Sequence, residues 1–529
     1  MTRETYFTRR TTLGMVAALP FATACGLSSA GARTGAPAAG SAPSPPTADG
    51  RPRYHIAAPA GGWINDPQRP LKLGDTWTLW ALYNPTFPKG GTNWRRWTST
   101  DLVAWQDRGI AIPRNTTPFG DVWSGSTVVD TDDTAGFGAG ALVTLVTMPA
   151  PKIGQSCALW YSTDGGASFA FHGIVLPNFP GNKDFRDPTV FWHAPTRRWV
   201  MTLSEEGKIG FYTSSDLKAW SYASGFVSTE VGRIMECSHL FNLHLYDANG
   251  AVVADKWILL VGGNGTKRGF TVGTYYWVGH FDGVTFTSTT DGQWLDGGAD
   301  FYATVVWTDP AQSDPLASAY AMAWMSNWDY VKQMPVTRGY QGQLSLVRHL
   351  RLALVGTVPR LLSTPLAAQN AVFERTLIGS DQTITDVSSY AWPPEAGATA
   401  CRLDFTLRRL GPTWPAAVSL SVRKDDRFAT RLSFALRDDR IALLRSASGP
   451  DAPDVAAWRE DRSVSCDFSG DRVVASVFVD SGSVEVFVNQ GAATLSELIT
   501  APQDAVAFEL VTIDGRVAVS DVIMRQIAK

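Results

Sequence analysis

The sequence predicts an all-β protein, a five-bladed β-propeller followed by a C-terminal β-sandwich. Among its 529 residues are 48 Gly and 31 Pro, and 11% of the residues are aromatic. This composition is typical of short strands joined by tight turns. A short motif recurs along the first part of the chain, and the strand pattern changes near residue 360. Neither part contains a convincing amphipathic helix, which argues against a helix-rich α/β enzyme.

The recurring motif consists of an aromatic residue, a short polar run, an aspartate and a second aromatic residue. Its copies are 97–105, 160–169, 212–220 and, more loosely, 276–286, with the aspartates Asp101, Asp164, Asp216 and Asp282. We expect each aspartate to accept hydrogen bonds from the backbone of the turn that follows a strand. Radially repeated units of four strands describe a propeller, and residues 54–355 accommodate five of them.

Predicted strands support this division of the chain. In the first part they are 77–83, 126–129, 142–147, 199–203, 257–261 and 319–324. After about residue 360 they are 402–407, 417–422, 430–435, 441–445, 472–479 and 484–489, where Trp is sparse. Alternating strands over roughly 160 residues are typical of a β-sandwich. We therefore predict the propeller over residues 51–360 and the sandwich over 361–529.

The N-terminal 50 residues are predicted to direct export rather than to fold. Residues 1–24 resemble a twin-arginine signal, with Arg9 and Arg10 before an apolar run. The next residues resemble a lipobox ending in Cys25, although Ala22 stands where Leu is usual, so cleavage that leaves a free secreted protein is the alternative. Residues 25–50 read as a flexible Ala/Gly/Ser/Pro linker. We expect an extracellular protein whose only membrane contact is a lipid anchor at Cys25.

Charge and cysteine content exclude several function classes. Lys plus Arg number 46 and Asp plus Glu 49, without a basic run, so we expect no nucleic-acid binding. No CxxC pair or Cys/His cluster is present, and we expect no metal and no cofactor. Cys401 and Cys466 can form a disulfide in an oxidising compartment. The sequence carries no signal for an oligomeric state.

Three carboxylates stand in distinctive local sequences. Asp66 lies in Trp-Ile-Asn-Asp-Pro, Asp187 in Phe-Arg-Asp-Pro and Glu236 in Met-Glu-Cys. In a propeller the innermost strand of each blade begins at the central funnel, so distant carboxylates can converge there. Converging carboxylates suit glycoside cleavage, in which one is ionised and another delivers a proton to the leaving oxygen. Crowding raises their pKa values and keeps one of them protonated.

These three motifs, in this order, resemble the signatures of glycoside hydrolase family 32, which contains invertases, levanases and inulinases. Further matching segments extend over nearly the whole mature chain: 83–85, 97–105, 123–126, 300–303, 324–328 and 483–489. The resemblance implies the same propeller and sandwich. It also implies that Asp66 is the nucleophile, Glu236 the general acid and then base, and Asp187 the transition-state stabiliser beside Arg186.

The resemblance also implies a set of residues that line a fructose pocket. The polar candidates are Asn65, Gln68, Ser124, Arg186, Asp300 and Tyr302, and the aromatic candidates are Trp63, Trp94, Trp123 and Trp328. For the residues of this set that lie outside the three catalytic motifs, ordinary packing in the protein core is the alternative.

Two segments depart from the family pattern. Asp-Pro is usually followed by Asn-Gly, whereas here Gln68, Arg69 and Pro70 follow. Glu-Cys is usually followed by Pro-Asp, whereas here Ser238 and His239 follow. The Gln68 amide can still contact substrate, and His239 either alters the pKa of Glu236 or is a neutral structural histidine.

We therefore expect a retaining β-fructofuranosidase that acts on fructan, with levan the first choice and inulin or sucrose next. A levan fructotransferase, or a levan enzyme that releases a disaccharide or dianhydride, is the main alternative. A non-catalytic fructan-binding surface protein is the second alternative. An arabinan-type glycosidase on a similar propeller is disfavoured by the three signatures.

Overall fold

The computed structural model describes residues 50–527 except 60, 179–180, 233, 265–271, 335–338 and 393–395. The predicted signal, the lipobox and all but the last residue of the linker lie outside the described residues. Among the described residues, no helix is long and apolar enough to span a membrane.

Three separate four-stranded antiparallel sheets form the first three blades of the propeller. The first contains β1 (Trp63–Leu73), β2 (Thr76–Asn84), β3 (Asn93–Ser99) and β4 (Gln106–Ile112). The second contains β5 (Gly125–Asp130), β6 (Ala141–Met148), β7 (Ser156–Ser162) and β8 (Ala170–Leu176). The third contains β9 (Phe185–His193), β10 (Arg198–Glu205), β11 (Lys208–Ser214) and β12 (Ser221–Val227), with a 3₁₀ turn at Ala194–Thr196.

The fourth and fifth blades are joined into one ten-stranded sheet. The fourth contains β13 (Met235–Tyr246), β14 (Val252–Asn264), β15 (Val272–Phe281), β16 (Phe286–Ser288) and β17 (Gln293–Trp294). The fifth contains β18 (Tyr302–Trp307), β19 (Ala319–Met325), β20 (Gln343–Leu344), β21 (Arg348–Val355) and β22 (Val358–Pro365). A 3₁₀ turn lies at Val331–Gln333. The two blades meet where β13 pairs in parallel with β21. The fifth blade continues past residue 360, because β22 pairs with β21 along its whole length.

The repeated aspartates are confirmed as structural residues. Each one accepts hydrogen bonds from two backbone N–H groups in the turn after its strand, between two and four positions further on: Asp101, Asp164, Asp216 and Asp282. These bonds fix the turn that leads into the outermost strand of a blade. The motif therefore marks blade geometry and takes no part in chemistry.

The C-terminal part is a sandwich of two antiparallel sheets, which confirms the predicted fold. One sheet contains β23 (Arg375–Ile378), β24 (Gln382–Thr385), β26 (Cys401–Arg409), β31 (Arg472–Asp480), β32 (Ser483–Val488), β33 (Ala493–Leu498) and β35 (Arg516–Gln526). The other contains β25 (Ser389–Ala391), β27 (Ala417–Lys424), β28 (Thr430–Ala435), β29 (Arg440–Leu444), β30 (Arg462–Ser465) and β34 (Ala507–Ile513). A 3₁₀ turn at Ala367–Val372 precedes it, and one short helix, α1 (Ala456–Arg459), lies within it. Alternate residues of both sheets form one apolar core between them.

The suggested disulfide is not formed. Cys401 and Cys466 are both buried free thiols. Cys401 begins β26 of one sheet, whereas Cys466 follows the edge strand β30 of the other sheet. Both thiols pack in the apolar core of the sandwich, where burial raises their pKa values to about 12.

Buried ion pairs connect the propeller to the sandwich. Arg348 of β21 donates to Asp296 and to Glu485 of β32, and all three side chains are fully buried. His55, which precedes the first blade, contacts Asp480 through Nδ1 at 2.8 Å and Glu485 through Nε2 at 2.9 Å. Because each buried charge has a partner, removal of one member leaves another charge uncompensated. This network fixes the sandwich against the fifth blade.

Candidate active site

Asp66, Asp187, Glu236 and Tyr302 lie at irregularities in the innermost strands. The register shifts occur at the same end of four of these strands: 64–67 in β1, 186–189 in β9, 236–239 in β13 and 302–305 in β18. A bulge lets successive side chains leave the alternation of a regular strand. Pro67 and Pro188, which cannot donate to a ladder, are tolerated there for the same reason.

The backbone at these bulges is strained. Asp187, Cys237 and Ala303 all have positive φ angles, of 62°, 47° and 51°. Non-glycine residues adopt this conformation at an energetic cost, and such residues cluster at functional sites. The three residues lie on the inner strands β9, β13 and β18, and two of them, Asp187 and Cys237, line one cavity.

That cavity has a volume of about 500 Å³ and contains all three candidate carboxylates. Ten of the residues expected at the site line it: Trp63, Asn65, Asp66, Trp123, Ser124, Arg186, Asp187, Glu236, Tyr302 and Trp328. The wall is aromatic on one side, since Phe87 stacks on Trp63 with ring centroids 4.5 Å apart. The volume falls in the range of small-ligand sites.

Asp66 is held by neutral donors. Asn65 Nδ2 donates to Oδ1 at 2.9 Å, and Ser124 Oγ donates to Oδ2 at 2.5 Å. The Cys237 thiol is 3.8 Å from the same Oδ2. Burial raises the pKa of Asp66, the Ser124 hydrogen bond opposes this, and the nearby charge of Glu236 adds to it. Both oxygens of the Asp66 carboxylate are thus held by neutral hydrogen-bond donors.

Glu236 is held by a cation and a phenol. Arg186 donates to Oε1 from Nε at 2.8 Å and from Nη2 at 2.5 Å, and the Tyr302 hydroxyl donates to Oε2. The remaining guanidinium nitrogen, Nη1, donates to Asp184 at 2.6 Å and to Gln155 at 3.0 Å. The guanidinium of Arg186 therefore links Glu236 to Asp184 and Gln155 through charge-assisted hydrogen bonds.

Asp187 is held by backbone hydrogen bonds, and the charges of Arg186, Glu236 and Asp66 all act on its carboxyl group. The backbone N–H of Cys237 donates to its Oδ2 at 3.1 Å, and its own N–H donates to the Thr147 hydroxyl. The pKa of Asp187 is raised to about 7, because burial and the charges of Glu236 and Asp66 raise it by more than the charge of Arg186 lowers it. The carboxylates of this cavity thus act on one another electrostatically.

Three expected pocket residues lie elsewhere. Asp300 is fully buried at the sandwich, where Arg445 donates to it at 2.6 Å and the Tyr330 hydroxyl at 2.5 Å. Trp94 is fully buried and donates from Nε1 to the backbone carbonyl of Trp123. Gln68 lies beneath the cavity floor, with 1% of its surface exposed. The expectation that these three line the cavity is therefore corrected.

Gln68 connects two inner strands. Its Nε2 donates to the carbonyl oxygen of Asp66 at 2.8 Å, and its Oε1 accepts the N–H of Gly125 at 2.8 Å. The two bonds tie β1, which carries Asp66, to β5, which follows Ser124. The side chain thus supports the floor of the cavity from below.

Arg69 and His239, which also depart from the family pattern, do not line the cavity either. Burial, together with the charge of Arg69, lowers the pKa of His239 to about 3, so this histidine is neutral. Arg69 Nη2 donates to the carbonyl oxygens of Thr127 and Val190, which lie on β5 and β9. Of the two interpretations of His239, the neutral structural histidine fits the structure.

Several cavity residues were missed by the sequence reasoning. They are Leu82, Asn84, Phe87, Pro88, Gly91, Thr92, Gln155, Asp184 and Cys237. Asn84 and Cys237 stand inside motifs that the sequence analysis quoted, so a signal for them existed. Gln155 directly precedes β7, and no sequence motif there marks it as a cavity residue. No cluster of His, Cys, Asp and Glu side chains suited to a metal occurs in the described part of the chain.

Comparison with known proteins agrees with this geometry. The model of the glycosyl hydrolases family 32 N-terminal domain matches residues 55–365, and the C-terminal model matches 366–526. A levanbiose-producing levanase of Bacillus subtilis is 38% identical over 467 residues, 86% of this chain and 87% of that protein. A levanbiose-producing levanase of Geobacillus stearothermophilus is 43% identical over 323 residues, 60% of this chain and 79% of that protein.

Among solved structures, an exo-inulinase from Aspergillus awamori is similar over 91% of this chain and 98% of its own, with a TM-score of 0.79 and 26% identity. Its similarity extends over both the propeller and the sandwich. Because both family models match, and together they cover nearly all of the described residues, the chain belongs to glycosyl hydrolases family 32.

Proposed function

We propose that this glycosidase hydrolyses β-fructofuranosidic bonds in fructan, with levan as the preferred substrate. The observation that carries the proposal is the convergence of Asp66, Asp187 and Glu236 in one cavity, from three different inner strands. The levanase names of the two relatives that are 38% and 43% identical support levan over inulin and sucrose.

In the proposed mechanism Asp66 attacks the anomeric carbon and forms a fructosyl-enzyme. The hydrogen bonds from Asn65 and Ser124 aim its carboxylate and favour its ionised form. Glu236 donates a proton to the leaving oxygen, and then accepts one from the water that breaks the intermediate. Asp187 binds ring hydroxyls of the fructosyl unit as positive charge develops at the anomeric carbon.

Release of a disaccharide is a second candidate outcome. Two similar proteins are named for producing levanbiose, which differs from the release of single fructose units. A fructotransferase remains a third outcome, because transfer and hydrolysis share the fructosyl-enzyme and differ only in the hydroxyl that resolves it.

Product analysis tests substrate and outcome together. The mature protein is incubated separately with levan, inulin and sucrose, and the products are resolved by anion-exchange chromatography. Fructose alone from levan indicates an exo-hydrolase, and levanbiose indicates disaccharide release. A non-reducing dianhydride or longer transfer products indicate a transferase. No product from any substrate, together with calorimetric binding of levan, would support the fructan-binding alternative and overturn the proposal.

The nucleophile assignment has its own test. Asp66→Asn preserves the shape and burial of the side chain but cannot form the ester, so turnover should fall about 10⁴-fold or more. Asp132→Asn, on an exposed turn, is the matched control and should retain full activity. Turnover close to that of the control in Asp66→Asn would remove Asp66 from the mechanism.

We further propose that the protein acts outside the cell. Residues 1–24 resemble a twin-arginine signal, and a relative that is 30% identical is an extracellular exo-inulinase of Aspergillus awamori. Anchoring through Cys25 is tested by fractionation and by Cys25→Ser. Loss of membrane association in this variant indicates lipidation, whereas wild-type protein found only in the medium indicates free secretion.

A further inference from the structure

We propose that Gln155 and Asp184 form the binding site for the leaving sugar unit of the fructan. The inference rests on the proposed function, and it assigns a role to two residues that carry none in the mechanism above. Both line the cavity, and neither side chain has a hydrogen bond to Asp66 or Asp187 among the described residues, since their bonds go to Phe185 and Arg186.

Each of the two side chains has one polar atom fixed and one free. Oε1 of Gln155 accepts hydrogen bonds from the Phe185 N–H and from Arg186 Nη1, both at 3.0 Å, which sets the orientation of the amide. Oδ1 of Asp184 accepts from the same Nη1 at 2.6 Å. Gln155 Nε2 and Asp184 Oδ2 have no hydrogen-bond partner among the described residues. A donor and an acceptor therefore stand side by side on the cavity wall.

The position of this pair relative to Glu236 places it on the leaving-group side. A general acid must lie within hydrogen-bond reach of the leaving oxygen, whereas the nucleophile approaches the opposite face of the sugar. The guanidinium of Arg186 contacts Glu236 with Nε and Nη2, and it contacts Gln155 and Asp184 with Nη1. The pair is thus separated from Glu236 by one guanidinium group, within the same cavity.

The chemistry of the pair suits a sugar. Two neighbouring hydroxyls of a fructosyl unit can accept from the Gln155 amide and donate to the Asp184 carboxylate. Both protein groups are held by Arg186, so little side-chain entropy is lost when they bind. Asp184 is 8% exposed, and a hydrogen bond to a partly buried carboxylate is stronger than one in water.

The same site positions an incoming sugar during transfer. In that step the acceptor hydroxyl gives its proton to the Glu236 carboxylate while its oxygen forms a bond to the anomeric carbon. The bond between that carbon and Asp66 breaks, which restores the carboxylate. Because this is the reverse of the first step, a residue that binds the leaving sugar also binds the acceptor sugar.

Two isosteric substitutions reverse the hydrogen-bonding character of the free atoms, and each also changes the charge beside Arg186 by one unit. Asp184→Asn retains Oδ1 for Arg186 and replaces the free acceptor by a donor. Gln155→Glu retains Oε1 and replaces the free donor by an acceptor. Lys183→Gln changes an exposed neighbour that does not line the cavity and is the matched control.

The measurement is the ratio of two kcat/KM values for each protein. The numerator is kcat/KM for a levan oligosaccharide. The denominator is kcat/KM for methyl β-D-fructofuranoside, whose leaving group has no sugar hydroxyls. We expect the ratio to fall about tenfold or more in each cavity variant, since a buried hydrogen-bonding group loses its partner. The ratio should stay within about twofold of the wild type in Lys183→Gln. Transfer products at high oligosaccharide concentration should decrease in the same two variants.

An unchanged ratio in both cavity variants would overturn the proposal. Equal losses on both substrates would show that Gln155 and Asp184 act only by positioning Arg186 and Glu236. Wild-type protein that cleaves methyl β-D-fructofuranoside but no fructan would instead contradict the proposed function. These outcomes separate failure of this inference from failure of the general mechanism.

Discussion

The buried histidine between propeller and sandwich makes stability depend on pH. Burial alone would lower the pKa of His55, but its hydrogen bonds to Asp480 and Glu485 raise the pKa from 6.5 to about 9. The stabilisation is fully present below pH 6.5, where the unfolded chain is also protonated, and it is lost as pH rises through about 9. The difference corresponds to about 3 kcal/mol of folding free energy, at ~1.4 kcal/mol for each tenfold change in proton affinity.

His55→Gln tests this estimate by urea denaturation across pH 6 to 9.5. The wild type should lose about 3 kcal/mol more than the variant over this range, because only the wild type releases the His55 proton. Raised pKa values of Asp187 and Glu497 also destabilise the folded state as pH rises, but they contribute equally to both proteins. The exposed His280→Gln should follow the wild type. Parallel profiles for wild type and His55→Gln would refute the reasoning.

Three further substitutions address the site and its support. Ser124→Ala removes the hydroxyl donor to Asp66, so kcat should fall about 10- to 100-fold in steady-state assays, and an unaltered kcat would contradict a role in aiming the nucleophile. Gln68→Leu leaves a buried N–H and a buried carbonyl unpaired, which should cost about 1–3 kcal/mol in urea unfolding; no loss would mean that the bridge between inner strands is dispensable. Arg445→Met leaves the Asp300 carboxylate buried without its cation, at about 3–5 kcal/mol, and a variant as stable as the wild type in the same unfolding assay would argue that this pair does not secure the sandwich.

The central strands of the propeller blades were predictable because they are buried on both faces. The predicted run 77–83 is observed as Thr76–Asn84, and 142–147 as Ala141–Met148. The run 257–261 is observed as the much longer strand Val252–Asn264. Its first residues are exposed, so hydrophobicity marks only the buried middle, whereas hydrogen bonds to β13 extend the strand in both directions.

The cavity was predictable only where a residue belongs to a local motif. Asp66, Asp187 and Glu236 carry Pro or Cys neighbours that mark bulges in inner strands. Asp300 stands two residues from Tyr302, yet it lies at the interface with the sandwich and not in the cavity. Its position there depends on an ion pair with Arg445, which is 145 positions away in the sequence. Local sequence contains no information about such a partner. The same holds for Gln155, which reaches the site through a hydrogen bond to a residue of the next blade.

The residues that depart from the family pattern affect the hydrogen bonds between the inner strands. Gln68, Arg69 and His239 all lie below the cavity, and none of them lines it. Gln68 and Arg69 bond backbone groups of neighbouring inner strands, and neutral His239 is buried near the charge of Arg69. Substitutions there alter the support of the floor but present no new group to a substrate. We therefore expect product size to depend on residues that do line the cavity, such as half-exposed Trp328 and the Gln155–Asp184 pair.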